Sequence, residues 1–189
     1  MKNKIIIAVL LMISGIVNAQ LSPNIKKFKN DTIVWHPDSL LQISDFKGKP
    51  KGTAQGATYA GLFLYQKEVD GNLNFFVEAV FLKSKSFVKS NSEYVLKHEQ
   101  LHFDIAELYA RKLRQKISLM NFKKVNNLVP TIDGMYKKYS QDMFNEEDKY
   151  DNQTEHGLNA VKQKMWADNV QKELKDLEAY SSTQINTVK

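Results

Sequence analysis

His98, Glu99, Gln100, Leu101 and His102 set two imidazoles four residues apart with a carboxylate beside the first. On an α-helix that spacing brings both rings to one face about one turn apart, close enough to share a metal ion. Glu99 then lies roughly 100° round the helix from His98, beside the ion rather than on it. The residue types suit hydrolysis. Neutral imidazoles hold Zn²⁺ without cancelling its charge, and zinc lowers the pKa of its water to about 7. A carboxylate beside it can take the proton as general base. The pattern His-Glu-x-x-His inside a helix is the context that this chemistry requires.

A catalytic zinc usually has three protein ligands and one open position. Only His36 and His156 remain as further histidines. His36 precedes Pro37 in a turn and reads as a surface residue. His156 is therefore expected as the third ligand, with Asp151 and Glu155 as carboxylate alternatives. Asp104 and Glu107 follow the motif closely but lie about 200° and 140° round the helix from His102, so they face elsewhere. Tyr150 is the candidate for stabilising an oxyanion. Asp151 can also orient a ligand histidine or cap a helix.

The elements that must position these groups follow from the periodicity. Ser90 and Glu93 form a capping box ahead of a long helical pattern reaching Met120. A second helix is expected from about Pro130 through Met143. A third begins near Thr154 as N-cap, with Leu158, Val161, Met165 and Trp166 on one side. Before the helices, Thr32 to Trp35 reads as a short strand. Thr58 to Glu68 and Leu73 to Lys83 flank Asp70-Gly71, a tight-turn dipeptide, and so form a hairpin. The order predicts an α+β domain, a small antiparallel sheet packed on long C-terminal helices.

Lys2 and Lys4 precede an apolar run from Ile5 to Val17 that ends in small residues, the form of a secretory signal peptide at residues 1–19. Residues 20–180 are expected as one domain and 181–189 as a flexible tail. The chain has no cysteine, so neither a disulfide nor a lipid-anchoring cysteine is available. The expected location is periplasmic or secreted, with no stable membrane anchor after signal cleavage. Arg111 and Arg114 are the only arginines among 27 basic residues, and the lysines are scattered. That distribution argues against nucleic acid as a partner. Arg111, Lys112, Arg114 and Lys116 read as an exposed helix face.

The segments DFKGKP (Asp45 to Pro50), HEQLHFDIAELYARKLR (His98 to Arg114) and YDNQTEHG (Tyr150 to Gly157) resemble, in that order, a family of exported bacterial proteins described as zinc-dependent proteases. The resemblance spans about Trp35 to Leu174. It implies a zincin-like metallopeptidase fold with His98 and His102 as ligands and Glu99 as base. It also implies a sheet edge that binds peptide, supplied by Leu73 to Lys83 or its hairpin partner. The expected activity is hydrolysis of peptide bonds in a peptide or protein substrate by metal-activated water. The competing reading is a catalytically silent cell-envelope binding module that keeps the fold, which an intact Glu99 disfavours.

Overall fold

The computed structural model describes residues 30–69 and 72–187. The expected signal peptide and the Asp70-Gly71 turn lie outside these residues. The architecture is α+β: an antiparallel sheet followed by three helices. The strands are β1 (Thr32–Val34), β2 (Gly56–Ala57), β3 (Ala60–Val69), β4 (Asn72–Leu82), β5 (Phe87–Val88) and β6 (Gln184–Asn186). The helices are α1 (Glu93–Ser118), α2 (Leu128–Thr154) and α3 (Ala160–Asp176). Among the described residues no helix is long and apolar enough to cross a membrane.

The hairpin of β3 and β4 pairs over its whole length, from Ala60 opposite Phe81 to Val69 opposite Asn72. Along β4, alternate residues Phe75, Val77, Ala79 and Phe81 are buried against the helices, the period of two that a strand imposes. The other edge of β4 is shared end to end by β1, opposite residues 80–82, and β6, opposite residues 74–76. β4 is thus interior to the sheet and offers no edge to a peptide. Within the stretch expected as a flexible tail, Gln184–Asn186 form β6, and Ile185 joins the core.

α1 runs through the middle of the molecule. It packs on β3 and β4 along one side and on α2 and α3 along the other. A helix enclosed in this way is buried nearly all round, and Phe103, Ile105, Ala106, Ala110, Leu113 and Ile117 have no exposed surface. Its N-cap is Ser92, whose side chain accepts from Val95 N–H, two residues beyond the expected Ser90.

Burial all round forces the polar residues of α1 to be satisfied internally. Asp104 accepts from Trp35 Nε1 at 2.8 Å and Gln100 Nε2 at 2.9 Å, and Gln100 Oε1 accepts from Leu41 N–H at 2.8 Å. The middle residue of the histidine motif thereby ties the loop after β1 to the helix. Glu107 accepts from Arg111 Nε and from Arg114. Arg111 also donates to Leu174 O and Glu178, and Arg114 donates to Ser181 O. The two arginines expected on an exposed face are therefore buried. Spaced four and seven residues from Glu107, they share its face and clamp the chain leading to β6.

α2 continues through Tyr150 and Asp151, where the sequence suggested a break before a third helix. Thr154 closes α2 rather than capping the next helix: its hydroxyl bonds back to Tyr150 O at 2.8 Å. Glu155 and His156 then take left-handed backbone angles, φ 55° and 54°, and Gly157 follows at 87°. α3 is capped by Asn159, which accepts from Lys162 N–H. The register of α3 buries Gln163, Trp166, Val170 and Leu174. Leu158, Val161 and Met165 are exposed, so of the expected apolar side only Trp166 reaches the core.

Glu107→Gln removes the only carboxylate between two buried guanidinium groups while keeping the side chain's shape. Breaking a buried pair in this manner costs about 3–5 kcal/mol. The variant should unfold at a correspondingly lower urea concentration with an unchanged slope.

Candidate metal centre

His98 and His102 project from one turn of α1 with ring centroids 5.0 Å apart. The residue that meets them is Asp151 of α2. Its Oδ1 lies 3.2 Å from His98 Nε2 and 3.0 Å from His102 Nε2. These three residues offer ligand atoms that all lie within 4.8 Å of one another. Ligands at zinc-like bond lengths of about 2.0–2.1 Å on a tetrahedron stand about 3.3 Å apart, so the two histidine-to-carboxylate spacings fit one ion. The group can hold a metal ion.

His156, expected as the third ligand, stands outside this group. It is on the left-handed turn after α2, its side chain is 76% exposed, and its Nδ1 lies 3.5 Å from the other oxygen of Asp151, Oδ2. Glu155 is exposed on the same turn. His36 is exposed in a turn beside Asp38, as expected.

The backs of both imidazoles are also held. Tyr150 is fully buried and stacks on His98 with ring centroids 4.8 Å apart. Its hydroxyl donates to Gln163 Oε1 at 2.7 Å and lies 2.8 Å from His98 Nδ1. With that hydrogen spent on Gln163, the phenol oxygen accepts from His98 Nδ1–H. Nε2 is then left with its lone pair towards Asp151 Oδ1, and two acceptors facing each other at 3.2 Å call for a proton or a cation between them. Tyr150 consequently sits behind a histidine rather than at the mouth expected for an oxyanion donor. Burial pushes its phenol up, so it stays protonated.

His102 Nδ1 faces Glu147 Oε1 at 3.7 Å, with Glu147 itself buried. Burial pulls the His102 imidazole down, but Asp151 and Glu147 more than reverse this and hold it up at about 10. Burial alone would raise Asp151, yet hydrogen bonds from His102 and His98 keep it well below the usual carboxylate range. Without an ion, a proton on His102 lies between it and Asp151.

Glu99 follows His98 on α1 and lies within electrostatic reach of both histidines and Asp151. It is 3% exposed, and Oε2 has no hydrogen-bond partner among the described residues. Burial pushes its carboxyl up, against the pull of His102 and His98 and of hydrogen bonding with Thr58. Two glycines make room for these groups. A Cβ at Gly56 would collide with Glu99 Oε1, and one at Gly157 would stand 3.1 Å from the His98 ring. Gly157 also needs its positive φ.

Glu147 and Gln163 went unrecognised in the sequence. Glu147 lies four residues before Asp151 and so shares its helix face, a spacing that is visible once α2 is known to continue. Gln163 carries no local signal, because its role depends on how α3 packs.

Residues 83–157 match the profile of a family described as "Bacterial protein of unknown function (DUF922)". The matched span includes His98, Glu99, His102, Glu147, Tyr150, Asp151 and Gly157. No curated protein and no solved structure gives a match. The site is thus built almost wholly, Gly56, Thr58 and Gln163 apart, from the stretch in which this chain is similar to that family.

Proposed function

We propose that the protein is an exported, metal-dependent hydrolase that cleaves peptide bonds, with Glu99 as general base. The observation that carries this reading is the Glu99 carboxylate: buried, with one oxygen unpartnered, immediately beside a two-histidine, one-carboxylate group. A buried carboxylate oxygen left without a donor needs a use, and a water or substrate N–H at the ion would supply its missing partner. The same donor set also serves non-haem iron sites. A free base next to it favours hydrolysis and zinc.

On this reading His98 Nε2, His102 Nε2 and Asp151 Oδ1 hold the ion. Zinc there would polarise the scissile carbonyl and ready a water for attack near neutral pH. Glu99 takes the proton of the attacking water and returns it to the leaving amine. Tyr150 and Gln163 fix the tautomer and tilt of His98, and Glu147 does the same for His102.

An extended substrate also has a place to lie. β2 pairs with β5 through Gly56 opposite Val88 and Ala57 opposite Phe87, and Lys89 N–H donates to Gln55 O. In an antiparallel ladder the bonded residues alternate, so the N–H and C=O of Gly56 point away from β5. That edge runs over Glu99 and suits a peptide added as a further strand. The zincin-like resemblance and the signal-peptide pattern in the sequence of residues 1–19 favour the same assignment.

Wild-type protein purified with zinc available should carry close to one zinc per chain by elemental analysis. Asp151→Asn and His102→Ala should lose most of it. Protein with no bound metal under those conditions overturns the reading. Glu99→Gln should keep the metal and lose at least about 100-fold in peptide hydrolysis. If wild type turns over no peptide while Glu99→Gln binds a partner equally well, the binding-module reading takes its place.

Metal uptake should also release protons. His102 is held protonated through neutral pH in the metal-free protein, and a ligand imidazole must be neutral. The proton therefore leaves as metal enters, and affinity rises with pH up to about 10. Titration calorimetry in buffers of different ionisation enthalpy reads this release directly, and binding that is insensitive to buffer and pH contradicts it.

A further inference from the structure

The two oxygens of Asp151 have different neighbours. Oδ1 is shared by the Nε2 atoms of His98 and His102, whereas Oδ2 faces His156 Nδ1 at 3.5 Å. We propose that His156 is a positioning residue that occupies Oδ2 of Asp151, so that the carboxylate offers the ion a single oxygen. This rests on the metal reading given above and adds to it how the coordination is limited. A carboxylate can bind a metal through one oxygen or two. Two would fill a position that a hydrolytic site keeps open for water.

The backbone supports this role. His156 holds φ 54°, directly after Glu155 at 55°. Two successive non-glycine residues in the left-handed region are strained. The turn is retained because it is fixed at both ends. His156 N–H donates to Asp151 O at 2.8 Å, Asn159 N–H donates to Thr154 O at 2.8 Å, and Gly157 presses against the His98 ring. The residue before that contact therefore carries its side chain over the outer oxygen of Asp151, on the exposed side of the site. A relaxed helix end would leave Oδ2 to solvent or to the ion.

Cobalt(II) loading tests the proposal, because coordination number governs visible absorption: four-coordinate cobalt absorbs more strongly than five-coordinate. Glycine adopts the left-handed angle without strain and has no side-chain donor. Asparagine tolerates the same angle and supplies an N–H. His156→Gly should lose visible intensity as Oδ2 turns onto the cobalt, and His156→Asn should keep the wild-type spectrum. An unchanged spectrum in His156→Gly, or a loss of equal size in His156→Asn, overturns the inference and leaves the metal site standing. Wild type that takes up no cobalt or zinc overturns the metal reading itself. A crystal structure of zinc-loaded wild type gives a test without substitution. Oδ2 should lie outside bonding distance of the zinc, and a two-oxygen Asp151 refutes the role of His156.

Discussion

A partly buried carboxylate is held between two buried imidazoles by their mutual contacts. Asp151 on α2 and His98 and His102 on α1 each lose hydration on burial, and these contacts offset much of that loss. Because the three residues come from two helices, with His102 and Asp151 49 residues apart in sequence, this contact also sets how α1 and α2 meet. Their spacing in turn dictates the surroundings: Tyr150 must stack on His98, Gln163 of α3 must reach both, and the turn after α2 needs a glycine where it touches the imidazole.

The same helix carries a second charged cluster about two turns further on. Glu107, Arg111 and Arg114 are as buried as the histidines, but every carbonyl and carboxylate around them belongs to the framework: Leu174, Glu178 and Ser181. The two clusters differ in what they leave unfinished. The arginine cluster joins one oxygen of its carboxylate to two guanidinium groups and leaves Arg114 Nε without a hydrogen-bond partner among the described residues. The histidine cluster leaves Glu99 Oε2 without one beside ligand atoms that converge on one point. Each cluster thus has one buried polar atom to spare, and at the histidine end it stands next to groups that can hold a metal ion.

The sequence conveyed local patterns well. The histidine motif, its helix, the β3–β4 hairpin and the α+β order all follow from spacings within a few turns or a single strand. What it concealed were relations across distance. Asp151 and His156 are both plausible ligands five residues apart, and choosing between them depends on whether Thr154 ends a helix or begins one. Its hydroxyl bond back to Tyr150 decides that, and such a bond leaves no trace in composition. Arg111 and Arg114 look like surface residues because charge usually means solvent, and nothing nearby announces that α1 is enclosed on all sides. β6 was hidden for a similar reason: three polar-flanked residues acquire strand character only by meeting the free stretch of β4.

That last pairing bears on how the chain reaches its native state. β4 ends at Leu82, whereas the strand that covers part of its edge begins at Gln184, about a hundred residues later. During synthesis the hairpin emerges long before its cover. An uncovered edge of this kind can pair with the wrong chain, and a contact so distant in sequence forms slowly. The guanidinium of Arg114, which donates to Ser181 O just ahead of β6, fixes the chain where it enters that strand. Sheet closure is consequently tied to a strand that lies about a hundred residues downstream of the edge it covers.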